Sequence, residues 1–485
     1  PGESSAMKFN RFLPALLLLA ALCASTAQAK EARPNFILFI TDDISAGDLG
    51  CYGNEKIKTP HLDRMAAEGL RFTNAYLSIS SCSPSRCSII SGRWPHNTGA
   101  CELHTTLPKD QYVFPETLKK AGYYTVLSGK HHMGGAVDRG FDKVSRGKGP
   151  GKEGDWVKIL KERPRDKPFF FWFASSDAHR NWGFNDDAPT YDPKEVMVPP
   201  YLVDGPRTRK DLADYYHEVS RTDHYAGLLR KELKEQKIDG DTCFIYMSDN
   251  GRPFPRCKTR LYDDGIKTPF IIACPGRIKP GVTDSLVSSI DISATVLELA
   301  GAKKDPRVQG VSFSAILRDP GAKTRDFVYA EHNWHVHQAH ERLVRWKNWS
   351  YIRNAFPERQ LLCVEAAPKF PAGKELWDEE AGGRLKDHQR DIFLKPRPAE
   401  ELYDLSADPH QLNNLATDQR HAFVLSKLRN SLDRWTKETA DSVPEQPTND
   451  RQDAYGKKYR NHKRGPMPGA ELNSVRNNHP GPLRE

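Results

Sequence analysis

The sequence predicts an α/β fold with a large mixed or mostly parallel sheet between layers of helices, followed by a smaller C-terminal subdomain. Several continuous apolar runs have the composition of strands that are buried on both faces. Each run ends in polar residues, as in open α/β sheets, where ligands lie beyond the carboxyl ends of the strands. An amphipathic stretch of helical period over residues 210–238 predicts a long helix that covers the sheet.

Four apolar runs combine a predicted strand with candidate site residues directly after it. The runs and the residues that follow them are 35–40 with Asp42 and Asp43, 124–128 with Lys130 and His132, 168–173 with His179 and Arg180, and 243–248 with Asp249 and Asn250. Adjacent carboxylates repel each other unless a cation lies near them. Asp42 and Asp43 therefore favour a divalent cation site, with a solvated acidic loop as the alternative. Shorter strands are predicted at residues 72–77 and 268–275.

The helices of the N-terminal part have recognisable ends. Thr59 is the predicted N-cap of a helix over residues 61–70. Two other predicted helices, at residues 114–121 and 291–299, stop at or just before a glycine. Between the first two helices, a loop rich in polar groups contains His104.

The stretch at residues 81–92 joins a predicted strand to a short helix. Pro84 lies where the first helical turn tolerates proline, and Gly92 lies where a helix ends. Cys82 is therefore expected at the positive end of this helix, where an anion is favoured. The alternative is that Cys82 and Cys87 are a disulfide partner and a buried thiol.

A change of composition near Arg325 predicts a second domain. A His-rich loop at residues 331–342 precedes a predicted strand at residues 349–353 and a helix at residues 422–438. After Asp441 the chain is rich in Pro, Asn, Gly, Arg and Lys, which predicts a disordered or extended tail. The predicted parts are a leader and signal peptide at 1–29, a catalytic domain at 30–324, a C-terminal subdomain at 325–440 and the tail at 441–485.

The signal-peptide prediction depends on three features of the first residues. Lys8 and Arg11 supply the charged region, residues 13–22 the apolar run and residues 27–29 the cleavage site. The apolar run is too short for a membrane span, and no second hydrophobic span follows it. We expect an exported protein, periplasmic or secreted if it is bacterial and lysosomal or extracellular if it is eukaryotic.

The formal net charge of +9 suits a polyanionic partner such as nucleic acid or a sulfated glycan. The sequence contains no nucleic-acid-binding motif, so a sulfated saccharide is the expected partner and nucleic acid is not.

Together these stretches resemble the type I sulfatases, the formylglycine-dependent family. Residues 82–92 match its Cys-x-Pro-Ser-Arg signature, except that Ser91 replaces the threonine of the family. Residues 129–132 and 249–251 match its Gly-Lys-x-His and Asp-Asn-Gly motifs, and Ala178 replaces a proline that is usual in the family. The resemblance implies an alkaline-phosphatase-like sandwich whose C-terminal subdomain has a short antiparallel sheet and a helix.

The resemblance also implies a nucleophile and a metal site. A formylglycine-generating enzyme would oxidise Cys82 to formylglycine, whose hydrate attacks sulfur. A calcium ion, or alternatively magnesium, would be held by Asp42, Asp43, Cys82, Asp249 and Asn250.

Five further residues receive catalytic roles from the same resemblance. Arg86 would hold the formylglycine, while Lys130 and Lys258 would neutralise the sulfuryl oxygens. His132 would take the proton that allows sulfate to leave, and His179 would protonate the departing oxygen or nitrogen.

Within the family, the sequence is most similar to the heparan N-sulfatase branch, which hydrolyses N-sulfoglucosamine. Residues 80–86, 253–255 and 401–416 carry this similarity. That branch has an arginine where this chain has Lys258, and its loop differs from the His-rich loop, so the substrate stays open. The candidate substrate contacts are His104, Arg180, His332 and His335, with zinc binding by the His-rich loop as an alternative.

The sequence leaves three other functions open. They are an O-sulfatase acting on another sulfated glycan such as an algal polysaccharide, a phosphohydrolase of the same superfamily, and a glycan-binding protein without activity. The oligomeric state is open as well. Nine cysteines less Cys23 of the signal and the converted Cys82 leave seven, an odd number that predicts a free thiol or an intermolecular bond.

Overall fold

A computed structural model describes Gly2, residues 33–459 and residues 466–479. The described residues from Pro34 onward form one compact unit. The predicted signal peptide lies outside the described residues, apart from Gly2. Among the residues described, no helix combines the length and the apolar character that crossing a membrane requires.

Fourteen strands occur in the described part of the chain. They are β1 (Asn35–Thr41), β2 (Leu70–Phe72), β3 (Ala75–Tyr76), β4 (Tyr124–Gly129), β5 (Lys143–Ser145), β6 (Phe169–Ala174), β7 (Thr242–Ser248), β8 (Phe270–Ala273), β9 (Gly281–Thr283), β10 (Val287–Ser288), β11 (Phe327–His332), β12 (Glu341–Trp346), β13 (Trp349–Asn354) and β14 (Glu400–Asp404).

Ten α-helices accompany these strands within the same described residues. They are α1 (Pro60–Glu68), α2 (Cys82–Ser91), α3 (Phe114–Lys120), α4 (Trp156–Glu162), α5 (Pro206–Glu235), α6 (Asp263–Ile266), α7 (Asp291–Leu299), α8 (Ser314–Arg318), α9 (Pro371–Ala381) and α10 (Ala422–Glu438).

The main sheet has eight strands in the order β5-β4-β6-β1-β7-β8-β2-β9. The five strands from β5 to β7 are parallel, whereas β8 runs antiparallel to both β7 and β2. The predicted mixed α/β sheet is therefore confirmed. The predicted single strand at residues 72–77 was wrong, because β2 joins the main sheet while β3 pairs with β10 in a separate two-stranded sheet.

The central strand β1 shows why the apolar runs are continuous. Phe36, Leu38 and Ile40 pack into one hydrophobic core, while Ile37 and Phe39 pack into a second core. Because successive side chains of a strand point to opposite faces, a strand covered on both faces needs an apolar residue at every position. The long helix α5 packs in the second core.

The C-terminal region contains an antiparallel sheet of β11, β12, β13 and β14 with α10 packed against it. Trp435 of α10 stacks on Tyr329 at a ring distance of 5.0 Å and meets Trp94 edge-on at 5.5 Å. The predicted His-rich loop at residues 331–342 was too long, since its first two residues end β11 and its last two begin β12. The predicted boundary near residue 324 stays a prediction.

The described part of the segment after Asp441 is packed and has little regular secondary structure. Asn97 donates hydrogen bonds to the carbonyls of Thr439 and Arg476, and Thr448 Oγ1 donates to Glu102 at 2.7 Å. The expectation of disorder therefore fails for these residues, because buried polar groups of the main body bind their backbone.

All eight cysteines of the described residues are free thiols. Cys82 and Cys87 are both buried thiols in α2, so the disulfide part of that alternative is wrong. Cys243 Sγ lies 2.9 Å from Cys274 Sγ.

Candidate active site

The carboxyl ends of β1 and β7 bring two acidic turns together. Asp42 and Asp43 follow β1, and Asp249 and Asn250 follow β7, which is its parallel neighbour. The backbone N–H of Asp249 donates to the carbonyl of Thr41 at 3.0 Å, which ties the two strand ends together. Asp42, Asp43, Asp249 and Asn250 therefore lie at one edge of the sheet.

Helix α2 places Cys82 at the same edge. Its N-cap is Ser81, and it ends at Gly92, whose φ of 66° is the left-handed conformation that glycine adopts without strain. All ten residues of the helix are buried. Cys82 Sγ lies 3.5 Å from Asp42 Oδ1 and 4.0 Å from Asp43 Oδ1. Burial raises the pKa of the Cys82 thiol above its usual value, so the sulfur stays protonated.

Four groups in this cluster fit a metal ion. One ligand atom from each of Asp42, Asp43, Cys82 and Asp249 lies within 4.8 Å of the other three, and all four residues are buried. Burial raises the pKa of Asp43 and of Asp249. Asn250 Oδ1 is buried and has no hydrogen-bond partner among the described residues. Oxygen donors of this kind suit a hard divalent cation.

Three cationic side chains surround the carboxylates. Lys130 Nζ donates to Asp42 Oδ2, and Lys258 Nζ donates to Asp43 Oδ2 at 2.7 Å. Arg86 Nε donates to Asp249 Oδ2 at 2.7 Å. Burial works to raise the pKa of Asp42, but the charges of Lys130 and its cationic neighbours outweigh burial and lower it. Each carboxylate therefore has one cationic partner.

Two histidines face this cluster. His132 lies in the left-handed region with a φ of 56°, and its buried Nδ1 has no partner in the part of the chain that is described. Burial lowers the pKa of His132 to about 2, so the ring is neutral. His179 lies at the exposed side of the site, where the charge of Lys258 lowers its pKa to about 3. A bound anion would oppose this effect and favour the protonated ring.

A cavity of about 680 Å³ opens beside these groups. Its lining includes Asp42, Lys130, His132 and His179, so one carboxylate of the acidic cluster and both predicted proton-transfer residues border one open space. Cavities of this size hold small ligands.

Comparison with known families accounts for this arrangement. The family model described as Sulfatase matches residues 34–152 and 154–302. The chain belongs to the sulfatase family. A second family model, described as N-sulphoglucosamine sulphohydrolase, C-terminal, matches residues 257–360.

The similarity to individual sulfatases extends over most of the chain. N-sulphoglucosamine sulphohydrolase of Homo sapiens is 31% identical, over 88% of this chain and 93% of the human protein. An Ulvan-active sulfatase of Formosa agariphila is 28% identical, over 83% of this chain and 74% of the relative. The solved complex of BT4656 with its substrate D-glucosamine-2-N,6-O-disulfate aligns with a TM-score of 0.64 at 21% identity, over 84% of this chain and 98% of that one. The predicted alkaline-phosphatase-like fold is confirmed.

The four predicted substrate contacts of this sulfatase lie in different surroundings. The ring of His104 lies 5.0 Å from that of His132, and His335 Nδ1 shares a hydrogen bond of 2.7 Å with Ser81 Oγ, next to Cys82. His332 is buried and donates to Glu341 at 2.8 Å. Arg180 borders the cavity, but two of its guanidinium nitrogens donate to Asp211 at 2.6 and 2.8 Å.

Sequence reasoning missed three charged residues of the sulfatase cavity and a fourth that pairs with one of them. Lys152, Asp177 and Glu218 line it, and Arg221 donates to both carboxylate oxygens of Asp177 at 2.6 and 2.8 Å. Glu218 and Arg221 belong to α5, which the sequence analysis interpreted only through its apolar stripe. Asp177 follows β6 directly, so its position after a buried strand was a signal that could have found it.

Proposed function

We propose that this sulfatase hydrolyses sulfate esters or sulfamates of a carbohydrate, and that its substrate is N-sulfoglucosamine of the heparan type. One observation supports this most strongly: the thiol of Cys82 lies against Asp42 and Asp43, the charges of Lys130 and Lys258 act on it, and Asp42 and Lys130 line an open cavity. The human N-sulphoglucosamine sulphohydrolase and the matching C-terminal family model support the choice of substrate.

Two groups complete the site in this proposal. A formylglycine-generating enzyme converts Cys82 to formylglycine, which supplies the attacking hydroxyl when it is hydrated. A calcium ion, or magnesium in its place, supplies positive charge when it is held by Asp42, Asp43, residue 82, Asp249 and Asn250. The orphan oxygen of Asn250 and the raised pKa of Asp43 are what an oxygen-ligated cation would remedy.

The protein's own side chains then bind the sulfuryl group and move protons. Lys130 and Lys258 present fixed positive charges to the sulfuryl oxygens, and such preorganised charge stabilises the transition state. Arg86 holds residue 82 and Asp249 in place. His132 accepts a proton at its unpartnered Nδ1, and His179 donates a proton to the leaving oxygen or nitrogen.

An O-sulfatase acting on another sulfated polysaccharide is the second candidate. The relatives of Formosa agariphila that are named Ulvan-active sulfatases favour it, at 28% and 29% identity.

We also propose that the protein is exported, as the sequence of residues 1–29 predicts. Its saccharide substrate then lies in the periplasm or outside the cell for a bacterial protein, and in the lysosome or outside the cell for a eukaryotic one.

A panel of sulfated saccharides tests the proposal. We expect sulfate release from N-sulfoglucosamine and from a chromogenic aryl sulfate by natively produced protein, and loss of both in Cys82→Ala. Cys87→Ala is the matched control, since this second thiol of α2 is buried away from the carboxylates. Mass spectrometry of the peptide that contains residue 82 must show the aldehyde in the active protein.

The same panel separates the alternatives. Release from O-sulfated algal sugars alone would select the second candidate. Release of phosphate from phosphate esters, with an intact Cys82 thiol in native protein, would overturn the sulfatase activity.

A further inference from the structure

One wall of the active-site cavity is a glycine-rich loop that sequence reasoning did not use. It covers residues 147–154, with four glycines among its eight positions. Two bonds fix its centre, because the carbonyl of Gly151 accepts from the N–H of Ser176 at 2.8 Å and from Ser175 Oγ at 3.2 Å. Lys152, the next residue, therefore holds a defined place in the cavity wall.

The backbone of Lys152 is strained at this place. Its φ of 71° lies in the left-handed region, which is unfavourable for a residue other than glycine. A glycine would remove this cost, and the loop uses glycine at Gly147 and Gly149, which also have positive φ. A lysine kept in such a conformation beside a cavity points to a use for its side chain.

The positive charges of Lys130 and Arg86 act on the ammonium group of Lys152, and the negative charges of Asp42 and Glu153 act on it more weakly. No carboxylate of the described residues forms an ion pair with it, and the carboxylate of the next residue, Glu153, is held by Ser175 Oγ instead. Burial and the charges of Lys130 and Arg86 lower the pKa of Lys152. These are the cations assigned to the sulfuryl group and to residue 82, so Lys152 extends their positive field along the cavity wall.

We propose that Lys152 binds a second anionic group of the substrate, a sulfate or a carboxylate on the sugar that carries the scissile sulfate or on its neighbour. The proposal rests on the proposed function, which supplies the class of substrate. An anion at this place would offset the repulsion between Lys152 and Lys130 and would be bound by a charge-assisted hydrogen bond. A cavity of about 680 Å³ has room for a saccharide that bears two such groups.

Equilibrium binding tests the assignment without requiring turnover. Every protein in the titrations carries Cys82→Ala, so that no probe is consumed. The probes are glucosamine N-sulfate, glucosamine N,6-O-disulfate and a disaccharide of N-sulfoglucosamine with a uronic acid, titrated calorimetrically into the protein with Lys152 and into the protein with Lys152→Met. Both residues at position 152 have a Cβ, so the substitution removes the charge and leaves the backbone preference unchanged. We expect about a tenfold or greater loss of affinity for the probe that carries the recognised second anion. The affinity for glucosamine N-sulfate should change by less than threefold.

Two further variants make the test specific. Lys152→Arg should restore the preference, because it keeps the charge, and Lys148→Met should leave all affinities unchanged, since this lysine of the same loop is exposed. The assignment is overturned if the protein with Lys152 binds all three probes equally, or if Lys152→Met weakens the binding of all three equally. If the protein with Lys152 prefers the probe with a second anion, but natively produced enzyme releases no sulfate from N-sulfoglucosamine, the proposed substrate is refuted and the role of Lys152 stands.

Discussion

Asp43 shows how closely charge is balanced in this site. Its carboxylate accepts from Lys258 Nζ at 2.7 Å and from Asn250 Nδ2 at 2.5 Å, yet burial raises its pKa well above the usual value. Two hydrogen bonds therefore do not compensate fully for the loss of water. A cation bound between Asp43 and Asp249 would supply the missing compensation.

The first prediction concerns Lys258. Lys258→Met removes a charge that faces both Asp43 and the sulfuryl site, so kcat for aryl sulfate hydrolysis should fall by about 10²–10³, the usual effect of losing one preorganised donor. Steady-state kinetics measures this change. Lys267→Met is the control, because Lys267 Nζ lies 3.7 Å from its partner Asp263 Oδ2, away from the cluster. A variant within threefold of wild type would show that Lys258 is structural.

At the scale of elements, helix α1 begins in a way that local sequence does not reveal. Thr59 is its N-cap residue, as predicted, but its side chain makes no capping bond to the helix. The cap comes from Asp223 of α5, whose Oδ1 accepts from the N–H of Leu62 at 2.7 Å. A residue 161 positions away thus satisfies the helix start.

The second prediction follows from this cap. Asp223→Leu leaves buried N–H groups of α1 unsatisfied and should lower the free energy of unfolding by about 1–3 kcal/mol. Asp223→Asn keeps a carbonyl acceptor and should cost less than half of that. Denaturant unfolding measures both, and equal losses in the two variants would contradict the assignment of the cap.

The segment after Asp441 contacts a buried carboxyl group whose protonation depends on pH. Glu102 lies under it and accepts from Thr448 Oγ1, and burial raises the pKa of Glu102 to about 7. The folded state therefore binds a proton that the unfolded chain releases near pH 4.5. The stability that this proton contributes is complete below about pH 4.5 and is lost as the pH rises through 7.

The third prediction is a change in that pH dependence. Between pH 5 and pH 8 the contribution of Glu102 should fall by roughly 2–3 kcal/mol, and Glu102→Gln should abolish this part of the slope. Unfolding free energies measured across this range test it. Parallel curves for the two proteins would show that Glu102 is ionised throughout.

At the scale of the whole molecule, the proposed metal site joins three parts of the fold. Its groups come from β1, from β7 and from α2, which are distant in sequence and adjacent only in the folded chain. An ion that binds here binds the native state alone and must stabilise it.

The fourth prediction is therefore thermal. Saturating calcium should raise Tm by several degrees over protein treated with a chelator, since a ligand at 100 times its Kd adds about 2.7 kcal/mol. Differential scanning calorimetry with calcium, magnesium and chelator measures the effect and ranks the two ions. Asp249→Asn should reduce the shift, and identical Tm values in all three conditions would exclude a structural ion.

The sequence could predict those features that depend on neighbouring residues. The helices Asp291–Leu299 and Ala422–Glu438 have the predicted bounds, and the strand ends that carry the site were found because apolar runs and polar ends are local patterns. The antiparallel direction of β8 could not be predicted, because it depends on pairing across the sheet.

The residues of the candidate site also divide into those that local patterns predict and those that depend on distant contacts. Cys82, Asp42 and Asp249 follow from motifs at strand ends. The pairing of Arg180 with Asp211 depends on a helix that begins 26 residues later, and no local pattern indicates it. Composition also misjudged the segment after Asp441, because its order comes from partners such as Asn97 in the main body.

The complete burial of helix α2 determines when the Cys82 thiol is accessible to another enzyme. Cys82 is 2% exposed, and the residues on either side of it are equally enclosed. In the proposed function, an enzyme that oxidises this thiol would have to reach it before the chain folds. A molecule that folds before this oxidation would keep the Cys82 thiol, and later contact with the oxidising enzyme would not convert it.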